Sequence, residues 1–226
     1  MSLTEPDHPS PAESVEPRRT RGRPRKTADE RDDGNRRQEL LRAAARLFRQ
    51  QGFAATSTRD IAAAAGMRSG SPFYHFENKE ALLAAVMLEG MQRATGRQAG
   101  AMQAAAVAAG QPLSARACLR VLVRNHLEVL LGDESDFIPV MLYEWRSLSE
   151  VQRQAVNELR REYEAVWVPV LRVLHDSGEL QGDPSLARLM IFGALNWAVQ
   201  WFEPGRRSSL DDLTEAALKL FLKEPA

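Results

Sequence analysis

The sequence predicts an all-α protein, and three observations carry that reading. Apolar residues recur at three- and four-residue spacing from Arg36 almost to the C-terminus. No run of alternating β-branched residues occurs. Ser, Asn and an Asp-Pro pair stand repeatedly where the apolar stretches begin, as helix starts require.

The elements follow in order. Residues 1–35 are rich in Pro, Glu, Asp, Arg and Ser without periodicity, and are predicted to be disordered. A first helix is predicted at 36–51, where Leu40, Leu41, Ala44, Leu47 and Phe48 share one face and Gly52 supplies the stop. A second begins after Ser57, whose spacing to Asp60 resembles a capping box with Asp for the usual Glu, and ends at Gly66. A short third helix covers about 70–76. Asn78 caps a long helix from Lys79 to about 108, whose second half, Ala99 to Ala109, is nearly all small residues. Pro112 and Ser114 open a helix at about 113–131, followed by a break at 132–135. Further helices are predicted at about 136–147, 149–176, 184–203 and 209–223, starting at Ser149, Asp183–Pro184 and Ser208/Ser209.

Charge is distributed unevenly. The formal net charge is zero, which by itself argues against nucleic acid. Residues 1–17 carry four acids and no bases, residues 18–79 carry 15 Lys/Arg against seven Asp/Glu, and residues 80–226 carry 15 against 19. A basic N-terminal third on a mildly acidic body is the charge pattern of a DNA-reading head on a regulatory domain.

Other classes fit less well. No apolar run approaches the ~20 residues that span a bilayer. No apolar segment follows basic residues at the N-terminus, and Cys118 is the single cysteine, so a cytoplasmic protein without disulfides or membrane contact is expected. There is no Gly-rich phosphate loop, and His8, His75, His126 and His175 show no metal spacing with one another or with Cys118. Glu144 and Glu150 are near each other, but paired acids on helical surfaces are commonplace. No catalytic residues, metal or cofactor are expected.

A helix-turn-helix is predicted at about 57–76. Such a motif needs a small residue where its helices cross, a Gly in the turn and apolar residues that hold the angle. Ala62 is the small residue, Gly66 lies four positions on, and Ile61, Met67 and Phe73 are spaced to pack inside. The following helix is short and polar outside, as a helix entering a DNA groove must be.

With Leu47–Phe48, Gly52–Phe53, Thr56, Ile61–Ala62, Ala65–Gly66, Tyr74–His75–Phe76, Lys79 and Leu82 in place, residues 36–82 resemble the DNA-binding domain of the TetR family of repressors. The resemblance implies a three-helix head, a six-helix ligand-binding and dimerisation domain at 83–226, and a homodimer. The sequence departs from the family pattern in three places. Arg68 replaces the usual short polar residue, Phe73 replaces the usual Tyr, and Pro72 lies inside the third helix, which is tolerable if Ser69 is the N-cap. Arg68, Ser69, Gly70, Ser71 and Tyr74 are the expected groove contacts, and Ser57, Thr58, His75 and Lys79 the expected phosphate contacts.

Upstream, residues 18–26 hold six of those 15 bases and no acid, with Arg21-Gly-Arg-Pro-Arg25 resembling an AT-hook core. Arg21, Arg23 and Arg25 are expected to touch DNA, either inserted in a narrow minor groove or resting on phosphates.

In the body, Met91, His126, Phe137, Met141, Trp145, Tyr163, Trp167, Phe192, Asn196 and Trp197 lie on helical segments and are candidates for an effector pocket, with core packing as the alternative for each. Phe192-Gly-Ala-Leu-Asn-Trp197, with Trp201-Phe-Glu-Pro-Gly205, is similar to a segment of TetR-family members that respond to acyl-coenzyme A thioesters. That similarity implies a lipophilic or acyl-thioester effector. The last two helices carry apolar stripes too extensive for one small core and are expected to pair two chains, placing the recognition helices ~34–36 Å apart. The expected function is ligand-released repression at a palindromic operator. Activation, or an architectural DNA-binding role without effector, remains the alternative.

Overall fold

A computed structural model of the chain describes residues 28–67, 72–132, 136–203, 205–206 and 208–224. The described residues form α1 (Ala28–Ala55), α2 (Thr58–Ala64), α3 (Pro72–His75), α4 (Lys79–Ala109), α5 (Ala115–Leu131), α6 (Phe137–Glu144), α7 (Glu150–Ala165), α8 (Trp167–Asp176), α9 (Pro184–Trp197) and α10 (Leu210–Phe221). They contain no strand; a single antiparallel bridge joins Leu180 to Leu222, so the protein is all-α as expected. None of these helices is long and apolar enough to cross a membrane.

The helix starts are set locally. Ser57, Ser149 and Ser209 each form a reciprocal capping box, with Asp60, Gln152 and Asp212 as the returning partners. Asn78 accepts from the Ala81 amide at 2.7 Å and Ser114 from the Ala117 amide at 3.2 Å. Asp183 accepts from Ser185 and Leu186, with Pro184 inside the first turn. Each cap satisfies amides that no helical carbonyl can reach and contributes about 1 kcal/mol.

Three helices differ from expectation in their bounds, among them the one expected over 184–203, which ends at Trp197 with a short 3-10 turn to Gln200. The first helix begins at Ala28 rather than Arg36. Its expected end is kept, because Gly52 leaves the helical region (φ 82, ψ 162) within the assigned span. The helix expected over 149–176 is bent into α7 and α8, so the described residues of the body form seven α-helical segments instead of six. Pro169 explains the bend: it lacks an N–H, and its ring opposes the carbonyl of Ala165. Val166 stays in the right-handed helical region (φ −66, ψ −27), so the chain kinks and continues.

The packing gives two helices special positions. α4 runs from the head into the body and packs against α1, α5, α6 and α7. α5 lies in the middle of the body, against α4, α8, α9 and α10. One continuous apolar cluster joins head and body, from Leu40, Leu41 and Phe48 on α1 through Leu83 and Met87 on α4 to Leu122, Leu127 and Trp167. Burying each large apolar side chain in it contributes about 1.5–3 kcal/mol.

Candidate nucleic-acid interface and internal pocket

The head is built to expose its third helix. Ile61 and Ala62 of α2 are buried against α1, and Met67 packs on the same cluster. Gly66 takes a left-handed conformation (φ 68) that turns the chain toward α3. Tyr74 then projects from α3 with 81% of its surface exposed, edge-on to the His75 ring at 5.2 Å. A phenol with so little packing contributes little to folding, which leaves it available to a partner.

The other expected DNA contacts are placed as follows. Ser57 is exposed, but its hydroxyl and amide both engage Asp60, at 2.6 and 3.0 Å. These bonds, the side-chain one foremost, hold the Asp60 carboxyl below its ordinary pKa. Thr58 opens α2 and is partly exposed. Arg68, Ser69, Gly70 and Ser71, and the arm residues Arg21, Arg23 and Arg25, lie outside the described residues. Lys79, expected on a phosphate, instead donates to the carbonyls of Phe53 (2.9 Å) and Thr56 (3.0 Å) and stands 4.2 Å from the Phe53 ring. Both carbonyls lie where α1 ends, beyond the reach of further helical donors, and they attract the ammonium. Exposed Arg59, on the first turn of α2, was not anticipated.

The Gly52–Thr56 elbow is gripped from a second side by the body. Glu144, at the end of α6, accepts the Phe53 amide on Oε1 at 2.8 Å and the Ser147 hydroxyl on Oε2 at 3.2 Å. Arg49 pairs with Asp136 at the other end of α6, 3.0 Å away. A Cβ on Gly52 would stand 3.3 Å from the Glu144 oxygen, and its positive φ disfavours any side chain.

The body holds an internal pocket with a void of about 40 Å³. Met91 and Ala94 of α4, His126 and Val129 of α5, Ile138 and Met141 of α6, Tyr163 of α7, and Phe192 and Asn196 of α9 line it. Six of the ten expected pocket residues therefore converge. The other four are corrected. Trp167 is fully buried behind the lining, its ring 4.6 Å from Phe192, so it supports the wall. Phe137 lines a separate groove between α4 and α6, under Arg93. Trp145 sits beneath Arg160, outside the lining. Trp197 is 65% exposed, because it follows Asn196 by one position and a helix turns about 100° per residue.

Arg160 and Glu164, which the sequence reading missed, line the pocket, and Glu164 also pairs with Arg188 of α9. Gln98 was missed as well. It is buried on α4, donates to the Tyr163 carbonyl at 3.0 Å and accepts from the Trp167 indole at 2.8 Å. It thereby bridges the α7–α8 kink. Nothing in the sequence sets Gln98 apart from Gln92 and Gln103 on the same helix.

Inside the pocket, His126 is bonded on both ring nitrogens: Nδ1 to the Tyr163 hydroxyl at 3.0 Å, Nε2 to Asn196 Oδ1 at 3.1 Å. Burial lowers its pKa from 6.5 to about 4, with the Asn196 bond acting in the opposite sense. Burial also raises the Tyr163 phenol, opposed by Asn125. Both groups are therefore neutral near pH 7.

The fold has counterparts among known proteins. The family model of bacterial regulatory proteins of the tetR family matches residues 40–86, and that of the tetracyclin repressor-like C-terminal domain matches residues 112–224. The chain is 31% identical to the HTH-type transcriptional repressor KstR2 of Rhodococcus jostii (strain RHA1) over 196 residues, 83% of this chain and 89% of that protein. It is 27% identical to the fatty acid metabolism regulator protein of Bacillus subtilis (strain 168) over 187 residues, 81% and 92% of the two chains. In fold it resembles AibR, solved with isovaleryl coenzyme A and operator DNA, with a TM-score of 0.73 and 23% identity over 82% of this chain and 97% of that one.

Proposed function

The chain belongs to the TetR family of bacterial regulatory proteins, and on that footing we propose that it represses transcription from a palindromic operator as a homodimer and is released by a lipophilic or acyl-thioester effector. One observation carries the coupling. α6 supplies Ile138 and Met141 to the pocket and Glu144 and Asp136 to the head. An effector that enlarges the void displaces α6, and with it the elbow that aims α2 and α3. The effector must bind the released state more tightly for this to shift the equilibrium.

The DNA contacts follow from exposure and charge. Tyr74, with Arg68, Ser69, Gly70 and Ser71 before it, reads the groove. Thr58, His75 and Arg59 hold phosphates, and Arg21, Arg23 and Arg25 extend the contact along the duplex. The homodimer forms through α9 and α10. Leu186, Leu189, Met190 and Trp197 make one exposed apolar stripe on α9, and Leu220 on α10 is 82% exposed. Such a stripe on a water-facing helix is the mark of an unfilled interface.

The relatives' functions support the effector class: KstR2 is a repressor, the Bacillus protein regulates fatty acid metabolism, and AibR holds an acyl-coenzyme A. The small void supports a second reading, an architectural DNA-binding protein without effector. One experiment separates the two. Operator fragments are selected from random duplexes with the purified full-length protein, then titrated with isovaleryl-, octanoyl- and palmitoyl-coenzyme A. Release by any of the three supports the effector reading. Tight operator binding indifferent to all three favours the architectural one.

A further inference from the structure

The long helix α4 is fastened at two levels. At its start, the Lys79 ammonium holds the Phe53 and Thr56 carbonyls of the head. Nineteen positions later (79 to 98), about 28 Å along the axis, Gln98 is the last buried residue of α4; none from 99 to 109 is buried. Glutamine is mostly a surface residue, and a buried amide persists where its donor and acceptor groups are both engaged. Those of Gln98 engage the two sides of the α7–α8 kink. Nε2 donates to the carbonyl of Tyr163, in the last turn of α7, and Oε1 accepts from the indole of Trp167, the first residue of α8. The same two residues carry the aromatic wall of the pocket. The Tyr163 hydroxyl meets His126 Nδ1 at 3.0 Å, and the Trp167 ring stands 4.6 Å from that of Phe192.

One side chain therefore ties α4 to the pocket wall by hydrogen bonds, whereas Met91 and Ala94 of the same helix line the pocket with apolar atoms. Apolar contacts tolerate small slides. Two hydrogen bonds in a dry site do not, because a shift of about 1 Å leaves a buried carbonyl and a buried N–H without partners, at high cost. We propose that Gln98 is a positioning residue for operator release. It makes α4 follow the α7–α8 kink when an effector displaces Tyr163 and Trp167, and the start of α4 carries that shift to the Gly52–Thr56 elbow. This route is separate from α6, which reaches the elbow through Glu144. The role of Gln98 rests on the pocket being the effector site, as proposed above.

The test measures operator affinity of the full-length protein by fluorescence anisotropy, with and without a saturating amount of whichever of isovaleryl-, octanoyl- and palmitoyl-coenzyme A releases it. The ratio of the two dissociation constants is compared between variants. Gln98→Met keeps an unbranched chain of similar length and lacks both hydrogen bonds. It should lower the ratio about tenfold, within the usual range of coupling between two sites. Operator affinity without effector, and effector affinity by calorimetry, should each stay within about threefold. Trp167→Phe keeps an aromatic ring against Phe192 and removes the indole N–H alone, so its ratio should fall less, by about threefold. If Gln98 only braces the kink, Gln98→Met lowers the denaturant midpoint and leaves the ratio unchanged; that result overturns the proposal and leaves the effector reading standing. If Gln98→Met does not fold, Trp167→Phe decides: an unchanged ratio overturns the proposal and a reduced one supports it. Release by none of the three thioesters overturns the proposal together with the reading beneath it.

Discussion

The head and the body put their informative residues in opposite places. Tyr74 of the head stands almost wholly in solvent, on a helix of four residues. His126, Tyr163 and Trp167 of the body are buried, and their polar atoms bond one another, Asn196 or Gln98. A surface that reads a large partner need not be filled by the fold. A pocket that reads a small one must be held by it. Substitutions should therefore separate stability from recognition in the head and merge them in the body.

The largest effect is expected at the wall of the pocket. Trp167→Ala leaves a cavity and strands the Gln98 carbonyl oxygen, and should cost about 3–5 kcal/mol by denaturant unfolding. A loss below about 1 kcal/mol would mean that the body repacks freely and that the contrast with the head is false.

Next is the acid limb of stability. The folded pKa of His126, about 4, lies below the ordinary 6.5, so the unfolded chain takes up the proton first. Stability from the neutral ring is complete above about pH 6.5 and is lost as the pH falls toward 4, by roughly 3 kcal/mol at ~1.4 kcal/mol per pH unit. His126→Gln should flatten that loss between pH 7 and pH 5 in denaturant midpoints. Parallel curves for the two proteins would show that His126 titrates normally.

A smaller effect is expected where the regions meet. Glu144→Ala removes a carboxylate from the Phe53 amide and should cost about 1.5–3 kcal/mol. Hydrogen exchange should quicken at Phe53 while the α5 amides keep their protection. Uniform quickening throughout would place Glu144 in the global core instead of at the joint.

The smallest change in stability belongs to Tyr74→Ala, within about 0.5 kcal/mol. Operator affinity in the same protein should fall by 1–3 kcal/mol, roughly 5- to 150-fold. Full affinity in fluorescence anisotropy would remove Tyr74 from the reading surface.

Much of this protein was determined by its sequence alone. The all-α class, the caps at Ser57, Asn78, Ser149, Asp183 and Ser209, the turn at Gly66 and the break at Gly52 are contacts within a few residues of one another, and their chemistry is visible in any short window. The pocket is not of that kind. His126 meets Tyr163 across 37 positions and Asn196 across 70, and Gln98 meets Trp167 across 69. Trp167 and Trp197 are the same residue on similar helices, yet one is fully buried and the other faces water, because only the packing of α8 and α9 decides which face turns inward. Lys79 likewise carries a family signature, but the tertiary fold brings its ammonium to two backbone carbonyls. Local hydrogen bonding wrote the elements into the sequence, and the meeting of distant faces in three dimensions decided which side chains form the site.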